Sequence, residues 1–146
     1  MDELSVRRLG GDDIALATRV AHTWLGEAGV TEAHLTELLT DPRSIVIVAV
    51  SHGEPLGYLV AYWFPSLNGD RLAYLYDIEV ALEHRRRGIA RSMVEQLLSI
   101  SRQTGIESVW VGSSLTNTAA CELWRATGAT RDGDQYVEIT FDCSGA

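Results

Sequence analysis

The sequence predicts a mixed α/β fold, in which a sheet of parallel and antiparallel strands carries helices on both faces. Segments with strand and helix periodicity alternate in the order β-α-α-β-β-β-α-β-α-β, which is typical of such a sheet. The length of 146 residues and the hydrophobic content of 46% fit one domain with one core. No repeat, linker or low-complexity segment interrupts this order, so we expect residues 1–146 to form a single domain.

The first half of the chain predicts a short strand, two helices and a hairpin. Residues 5–9 form the strand, and the aspartates of the following GDD can cap a helix over 14–24 with apolar residues at positions 16, 20 and 24. A second helix over about 31–39 begins at a threonine cap and ends before Asp41-Pro42. The runs SIVIVAVS (44–51) and LGYLVAYWF (56–64), joined by an HGEP turn, predict the hairpin.

The second half predicts three more strands and two more helices. RLAYLYDIEV (71–80) is a strand, and a helix follows from Gly88 to about Gly105 with apolar residues at positions 89, 93, 97 and 100 on one face. SVWVGS (108–113) is the next strand. Thr116 can cap a helix that runs to position 126, and QYVEITF (135–141) is a closing strand.

The charge of the chain excludes several classes of partner and mechanism. Its formal net charge is −8, which is unfavourable for binding nucleic acid or an anionic membrane surface and favours a cationic partner. All 12 basic residues are arginine. The sequence therefore offers no lysine for a Schiff base, for nucleophilic catalysis or for a Walker-type phosphate site.

Targeting segments and metal sites are not predicted either. The N-terminus lacks the apolar segment of a signal peptide, and the longest apolar run, IVIVAV, is far shorter than a membrane span. The two cysteines are Cys121 and Cys143, which do not form a CxxC pair, and the four histidines are scattered. We therefore expect a cytoplasmic protein without a metal site or a disulfide framework.

The run EHRRRGIA (83–90) predicts an anion site at the start of the helix that follows it. A helix N-terminus presents unpaired N–H groups and a partial positive charge, and a glycine there lets a phosphate approach the backbone. The alternative is that the arginines only solvate the loop. Three arginines beside a positive helix end are unfavourable unless an anion offsets them. The GxGxxG and P-loop patterns are absent, so NAD and ATP are poor candidates for this anion.

Two motifs carry a resemblance to a known family. Arg85, Gly88 and Ala90 resemble the pyrophosphate-binding loop of the GNAT N-acetyltransferases, in which Gln or Arg is followed at the same spacing by Gly and by Gly or Ala. The later run NTAACELWRATGA (117–129) is similar to a second pattern of that family, NxxAxxLYxxxGF. More narrowly, YLYDIEVALEHRRRGIA resembles the corresponding segment of the type I aminoglycoside 3-N-acetyltransferases. The resemblance implies a GNAT-like fold.

The resemblance implies that the protein binds acetyl-CoA. The strand that ends at Val80 would pair with the pantetheine arm, the N–H groups of 85–90 would surround the pyrophosphate, and Asn117 would contact pantetheine. Such an arrangement is physically sensible, because a strand edge satisfies an amide-bearing arm and a helix start holds an anion. The residues that the resemblance assigns to the cofactor are Ile78, Val80, Arg85, Arg86, Arg87, Gly88, Ile89, Ala90, Arg91, Ser92, Asn117 and Trp124.

One departure from the family affects the leaving group. The resemblance places Trp124 where the family usually has a tyrosine that protonates the departing thiolate. An indole N–H can donate a hydrogen bond but does not deliver a proton at neutral pH. Tyr76, Tyr136, Ser113 or water are the alternative proton donors, and direct transfer from the amine to the sulfur is another route.

The candidate catalytic residues are Asp77 and Glu79. An amine must lose its positive charge before it attacks a thioester, so a carboxylate near the cofactor strand is needed, directly or through water. Asp77 and Glu79 lie two apart on a strand and project from the same face, within an otherwise apolar run. The alternative is an exposed polar face. Asp77 is the first choice as base, because the aminoglycoside-acetyltransferase motif has an aspartate there.

The acceptor is expected to be a cationic amine. Acidic residues cluster near the closing strand, which borders the acceptor pocket in many relatives, although each of them is also a reasonable surface residue. The expected acceptor contacts are Tyr76, Asp134, Glu138 and Asp142, with Asp132 in the same cluster.

The sequence thus predicts an acetyl-CoA-dependent N-acetyltransferase that acts by direct transfer on an aminoglycoside, at its 3-amino group. The alternatives are a polyamine or other small-amine acetyltransferase and a non-catalytic acyl-CoA sensor. Analogy with the family also makes a homodimer an expectation.

Overall fold

The computed structural model describes residues 3–26, 30–131 and 139–144. In chain order the elements are β1 (Leu4–Arg8), α1 (Ile14–Trp24), α2 (Glu32–Thr40), β2 (Ser44–Ser51), β3 (Glu54–Pro65), β4 (Arg71–Val80), a 3-10 turn (Leu82–His84), α3 (Ile89–Thr104), β5 (Ile106–Trp110) and α4 (Thr118–Ala126). The predicted mixed α/β fold is confirmed. Within the described residues, no helix is long and apolar enough to span a membrane.

The sheet has the strand order β1-β2-β3-β4-β5 among the described residues. The first four strands are antiparallel neighbours, and β5 runs parallel to β4. A parallel pair needs a crossover connection, and α3 provides it. The sheet is therefore mixed, as the order of strands and helices in the sequence predicts.

Helices pack on both faces because β2 is apolar on both sides. Successive residues of a strand point to opposite faces, so Ile45 and Ile47 share a core with α3, while Val46 and Val48 share one with α1 and α2. The four apolar positions predicted for one face of α3 are all buried there. They are Ile89, Met93, Leu97 and Ile100.

Two predicted helix caps differ from the structure. Asp13 stands at the N-cap of α1, but its carboxylate accepts hydrogen bonds from Gly10 N and Arg7 rather than from the helix. Helix α4 is capped by Asn117 and begins at Thr118, so the prediction of Thr116 as the cap is wrong. Thr116 and Asn117 are both good N-cap residues by type, and the sequence does not distinguish them.

The strands near the C-terminus also differ from the prediction. β5 covers 106–110 rather than 108–113, because its pairing with β4 begins with Arg71 opposite Ile106 and ends with Tyr74 opposite Trp110. Of the predicted closing strand, positions 139–141 are not in a strand. Its remaining positions, 135–138, lie outside the described residues.

Candidate functional site

The second half of β4 leaves the sheet open on one side. Pairing with β5 ends at Tyr74 and Trp110, whereas β4 continues to Val80. Beyond that point the described part of β5 offers no partner to the backbone of β4. A strand edge of this kind can pair with an extended, amide-bearing ligand, as the family resemblance implies for Ile78 and Val80.

An irregularity in β4 lies at the same place. Val60 of β3 is opposite Asp77 and Ala61 is opposite Leu75, so Tyr76 is the extra residue of a β-bulge. A bulge bends its strand and turns a side chain away from the regular direction. Tyr76 is accordingly 65% exposed.

The start of α3 has the geometry of an anion site. Gly88 is the N-cap with a φ of +77°, and Arg86 before it has a φ of +63°. The first helical bond runs from Ser92 N to Gly88 O, so the N–H groups of Ile89 and Ala90 have no acceptor within the helix. These N–H groups and the helix dipole favour a negative charge in front of Gly88.

The arginine side chains are only partly directed at this helix start. Arg85 donates to Val80 O at 3.2 Å and lies 3.9 Å from Glu79, so its side chain turns back toward β4. The N–H of Arg85 donates to Leu82 O at 3.4 Å, which removes it from the predicted set of free N–H groups. Arg86 is exposed beside the N-cap.

The remaining basic residues of this region already have partners. Arg87 hydrogen-bonds the ring of His84 at 2.9 Å, and Arg91 pairs with Glu95 at 2.9 Å one turn further along α3. The first contact is an exposed hydrogen bond and the second an exposed ion pair, and exposed pairs contribute little to stability. Both arginines therefore remain near the helix start without being fixed toward it.

Asp77 is held by a residue that the sequence did not predict. The hydroxyl of Tyr58 donates a 2.5 Å hydrogen bond to Asp77 Oδ2. Tyr58 is 3% exposed, and its ring packs edge-on against Trp24 of α1 at 5.3 Å between centroids. Burial, then the hydrogen bond to Asp77, raise the pKa of Tyr58 well above its ordinary value, so the phenol keeps its proton and remains a donor.

Glu79 is the less constrained of the two carboxylates. It lies directly opposite Tyr58 in the register, yet the Tyr58 hydroxyl bonds Asp77 instead. The side chain of Glu79 is 45% exposed and lies 3.9 Å from Arg85. Asp77 is half-buried, so the structure distinguishes a fixed carboxylate from a solvated one.

Helix α4 places Asn117 and Trp124 beside α3. The Asn117 side chain accepts a 3.1 Å hydrogen bond from Ala120 N, so its amide oxygen serves as the helix cap. Trp124 packs against the core, and its indole N–H is buried without a hydrogen-bond partner. A buried donor without an acceptor is unfavourable. This N–H is therefore available to an acceptor atom of a ligand.

The acidic residues expected near the closing strand do not form part of the described site. Asp132, Asp134 and Glu138 lie outside the described residues, as does Tyr136. Asp142 is exposed and accepts hydrogen bonds from the N–H and hydroxyl of Ser144, which lower its pKa. Nothing in its contacts connects Asp142 with β4.

The residues present fit acetyl-CoA. A free strand edge matches the amides of pantetheine, and the N–H groups in front of α3 match a pyrophosphate. A fixed carboxylate stands on the same strand as that edge and can accept a proton from an amine. No local pattern in the sequence marks Tyr58, because its hydroxyl reaches Asp77 diagonally across the paired strands.

Comparisons with known proteins identify a family. Residues 15–129 match the profile of the "Acetyltransferase (GNAT) family". N-acetyltransferase family 8 member 3 of Mus musculus is 29% identical over 100 residues, which are 67% of this chain and 44% of that protein. The chain thus spans less than half the length of this curated relative.

Two solved structures show the similarity in three dimensions. An aminoglycoside acetyltransferase, HMB0005, from an uncultured soil metagenomic sample has a TM-score of 0.82 at 27% identity, over 96% of this chain and 99% of that one. A second, meta-AAC0020 in complex with sisomicin, has a TM-score of 0.84 at 22% identity, over 97% of each chain. At 22% identity, the similarity to meta-AAC0020 is evidence for the fold alone.

Proposed function

Because the chain belongs to the GNAT family of acetyltransferases, whose enzymes use acetyl-CoA, we propose that it acetylates a primary amine of a polycationic small molecule. The proposed acceptor is an aminoglycoside, acetylated at its 3-amino group. The observation that carries the proposal is the carboxylate of Asp77, fixed by Tyr58 on the same strand as a free edge. The net charge of −8 and the similarity to HMB0005 support a cationic acceptor.

Acetyl-CoA, when bound, supplies the acetyl group as an activated thioester. Ile78 and the N–H of Val80 would hold its pantetheine arm at the edge of β4, because Val80 O already accepts a hydrogen bond from Arg85. The N–H groups of Ile89 and Ala90 would hold its pyrophosphate. Gly88 leaves room for this approach, because no atom outside the glycine and its chain neighbours lies within 4 Å of the place where a side chain would begin. Arg86, exposed beside the N-cap, would add a charge-assisted hydrogen bond.

Asp77 would prepare the acceptor. An amine is protonated near neutral pH and cannot attack a carbonyl carbon until a base removes the proton. Tyr58 occupies Oδ2 of Asp77, so Oδ1 is the atom that would take the proton. Because the phenol also restricts the orientation of the carboxylate, the base is positioned before the acceptor arrives.

Trp124 would act on the leaving sulfur as a hydrogen-bond donor. Its buried indole N–H has no partner, and a developing negative charge is a good acceptor. The indole keeps its proton at neutral pH, so the sulfur would receive its proton from water or from the attacking amine. Direct transfer in a ternary complex needs no covalent acyl-enzyme.

The proposed function is tested by measuring the release of free thiol from acetyl-CoA with a panel of amines. The panel contains sisomicin, spermidine and a simple monoamine, and the background is the rate without any amine. Faster turnover with sisomicin than with spermidine supports the proposal. Turnover with spermidine but not with sisomicin would assign the enzyme to polyamines, and CoA binding without turnover on any amine would make the protein a sensor.

A further inference from the structure

Four aromatic side chains form a contiguous cluster across β3, β4 and β5. Tyr76, the bulged residue, contacts Tyr62 and Tyr74 edge-on, with ring centroids 5.9 Å and 6.4 Å apart. Tyr74 in turn lies against Trp110 at 4.3 Å with the rings tilted by 36°. Tyr62, Tyr74, Tyr76 and Trp110 are called the aromatic cluster below.

Three of the four rings of the aromatic cluster are exposed, and Tyr74 is half-buried. Tyr76 is 65% exposed, Trp110 is 50% exposed and Tyr62 is 38% exposed. Contiguous exposed rings on a small protein are unfavourable in water and indicate a surface that binds something. The bulge contributes to this exposure, because it inserts Tyr76 as an extra residue at the centre of the group.

The position of the aromatic cluster connects it with the proposed chemistry. Tyr76 immediately precedes Asp77, and Tyr74 and Trp110 are the last paired residues before β4 and β5 separate. Burial, followed by the nearby Tyr76 and the charge of Asp77, raises the pKa of Tyr62. The rings therefore adjoin both the fixed carboxylate and the opening of the sheet.

The electrostatics of the aromatic cluster favour a cation. The face of an aromatic ring is negative, and the neighbouring carboxylate of Asp77 adds to that potential. The two arginine–ring contacts that the structure describes both involve Trp63, with Arg43 at 5.6 Å and Arg71 at 5.0 Å. The basic residues in those contacts therefore lie on a different ring, and the cation for the aromatic cluster would come from a ligand.

We propose that the aromatic cluster binds a second ammonium group of the acceptor, one that is not acetylated, through cation–π contacts. This inference rests on the proposed function and extends it. The acceptor would be recognised at two points: one amine meets Asp77, and another ammonium group lies over Tyr76 and Trp110. The substrate class is therefore a small molecule with at least two amines.

The test replaces rings by an aliphatic side chain. Tyr76→Leu and Trp110→Leu keep apolar surface but remove the negative ring face, whereas Tyr76→Phe keeps the ring. We expect the KM for sisomicin to rise about tenfold in each leucine variant and clearly less in Tyr76→Phe. The KM for acetyl-CoA serves as the internal reference, and Phe64→Leu, an exposed ring further along β3, is the matched control.

A monoamine acceptor provides the decisive comparison. Because it has no second ammonium group, its KM should change much less than that of sisomicin in the leucine variants. An equal rise for both acceptors, or an unchanged KM for sisomicin, would overturn the proposal. A change in sedimentation coefficient with an unchanged KM would identify the aromatic cluster as an interface between copies of the chain, which also overturns it.

Failure of the proposed function would be recognised separately. If the wild-type protein releases no thiol with any amine, the dissociation constant of sisomicin is measured by calorimetry instead. Weaker binding of about tenfold in the leucine variants would still support the second ammonium site. Equal binding by wild type and variants would refute it. Thermal unfolding of each variant confirms that it folds. If Tyr76→Leu does not fold, Trp110→Leu alone is sufficient for the test.

Discussion

Replacing Asp77 by asparagine removes the proposed base and leaves its surroundings almost unchanged. Asparagine has nearly the same shape as aspartate, and its amide oxygen can still accept the hydrogen bond that Tyr58 donates to Asp77 Oδ2 at 2.5 Å. It cannot take a proton from an amine. We therefore expect kcat to fall about 100-fold or more, which corresponds to about 2.7 kcal/mol in the activation free energy.

The loss of stability in Asp77→Asn should be much smaller than the loss of activity. The hydrogen bond from Tyr58 changes from a charged to a neutral acceptor, which weakens it by about 1 kcal/mol. In a protein of this size that change lowers Tm by about 2–4 °C. A folded variant with a normal KM for acetyl-CoA would then show that the chemical step, and not folding, is affected.

Glu79→Gln is the matched control for this experiment. Glu79 lies on the same face of β4, but its side chain is 45% exposed and its only described ion pair is 3.9 Å long. We expect thiol release by Glu79→Gln to stay within about threefold of wild type, because exposed pairs contribute little. A near-normal rate in Asp77→Asn combined with a large loss in Glu79→Gln would refute the assignment and move the role of base to Glu79.

Four further predictions concern groups in or beside the site. Tyr58→Phe should lower kcat about tenfold and the free energy of unfolding by about 1.5–3 kcal/mol, because Asp77 loses its donor. Because the pKa of Tyr58 is raised in the folded state, the stability of the wild type should fall as the pH rises above about 10, and urea titrations should show that this loss is reduced in Tyr58→Phe. Gly57→Ala should destabilise the protein by about 1–3 kcal/mol in the same titrations, since its new Cβ would lie 2.8 Å from a carbonyl oxygen of β4. Gly88→Ala and Gly105→Ala should each lower the free energy of unfolding by about 1–2 kcal/mol, because these glycines, at opposite ends of α3, have φ angles of +77° and +75°. Only Gly88→Ala should raise the KM for acetyl-CoA, and an equal rise in both would contradict the assignment of the anion site.

The sequence predicted the elements whose signals are local. Helix α3 was predicted within one residue at each end, because Gly88 and Gly105 bound an apolar repeat of helical period. The strand over 71–80 was predicted at the observed bounds. Strong periodicity between clear boundary residues is therefore sufficient for these elements.

The sequence did not predict features that depend on how strands are paired. The bulge at Tyr76 follows from the registers of Asp77 and Leu75 against β3, and no residue type in β4 marks it. The contact of Tyr58 with Asp77 is diagonal, since Tyr58 lies opposite Glu79. Local patterns do not contain this information, because register is set by the packing of the whole sheet.

The aromatic cluster illustrates the same limit at the level of the site. Tyr76 was expected to contact the acceptor, but its contacts with Tyr62 and Tyr74 join residues that are distant in the chain or brought together by the bulge. Trp110 was assigned only to a strand, and its stacking on Tyr74 depends on the parallel register of β5. Functional surfaces of this kind become visible only when the sheet is assembled.

The most direct test of the central claim is to identify the product by mass spectrometry and NMR after incubation with acetyl-CoA and sisomicin. The account predicts sisomicin that carries one acetyl group in amide linkage on its 3-amino group, formed in step with free CoA and greatly reduced with Asp77→Asn. Release of CoA with unmodified sisomicin, or an acetyl group found on the protein itself, would contradict it.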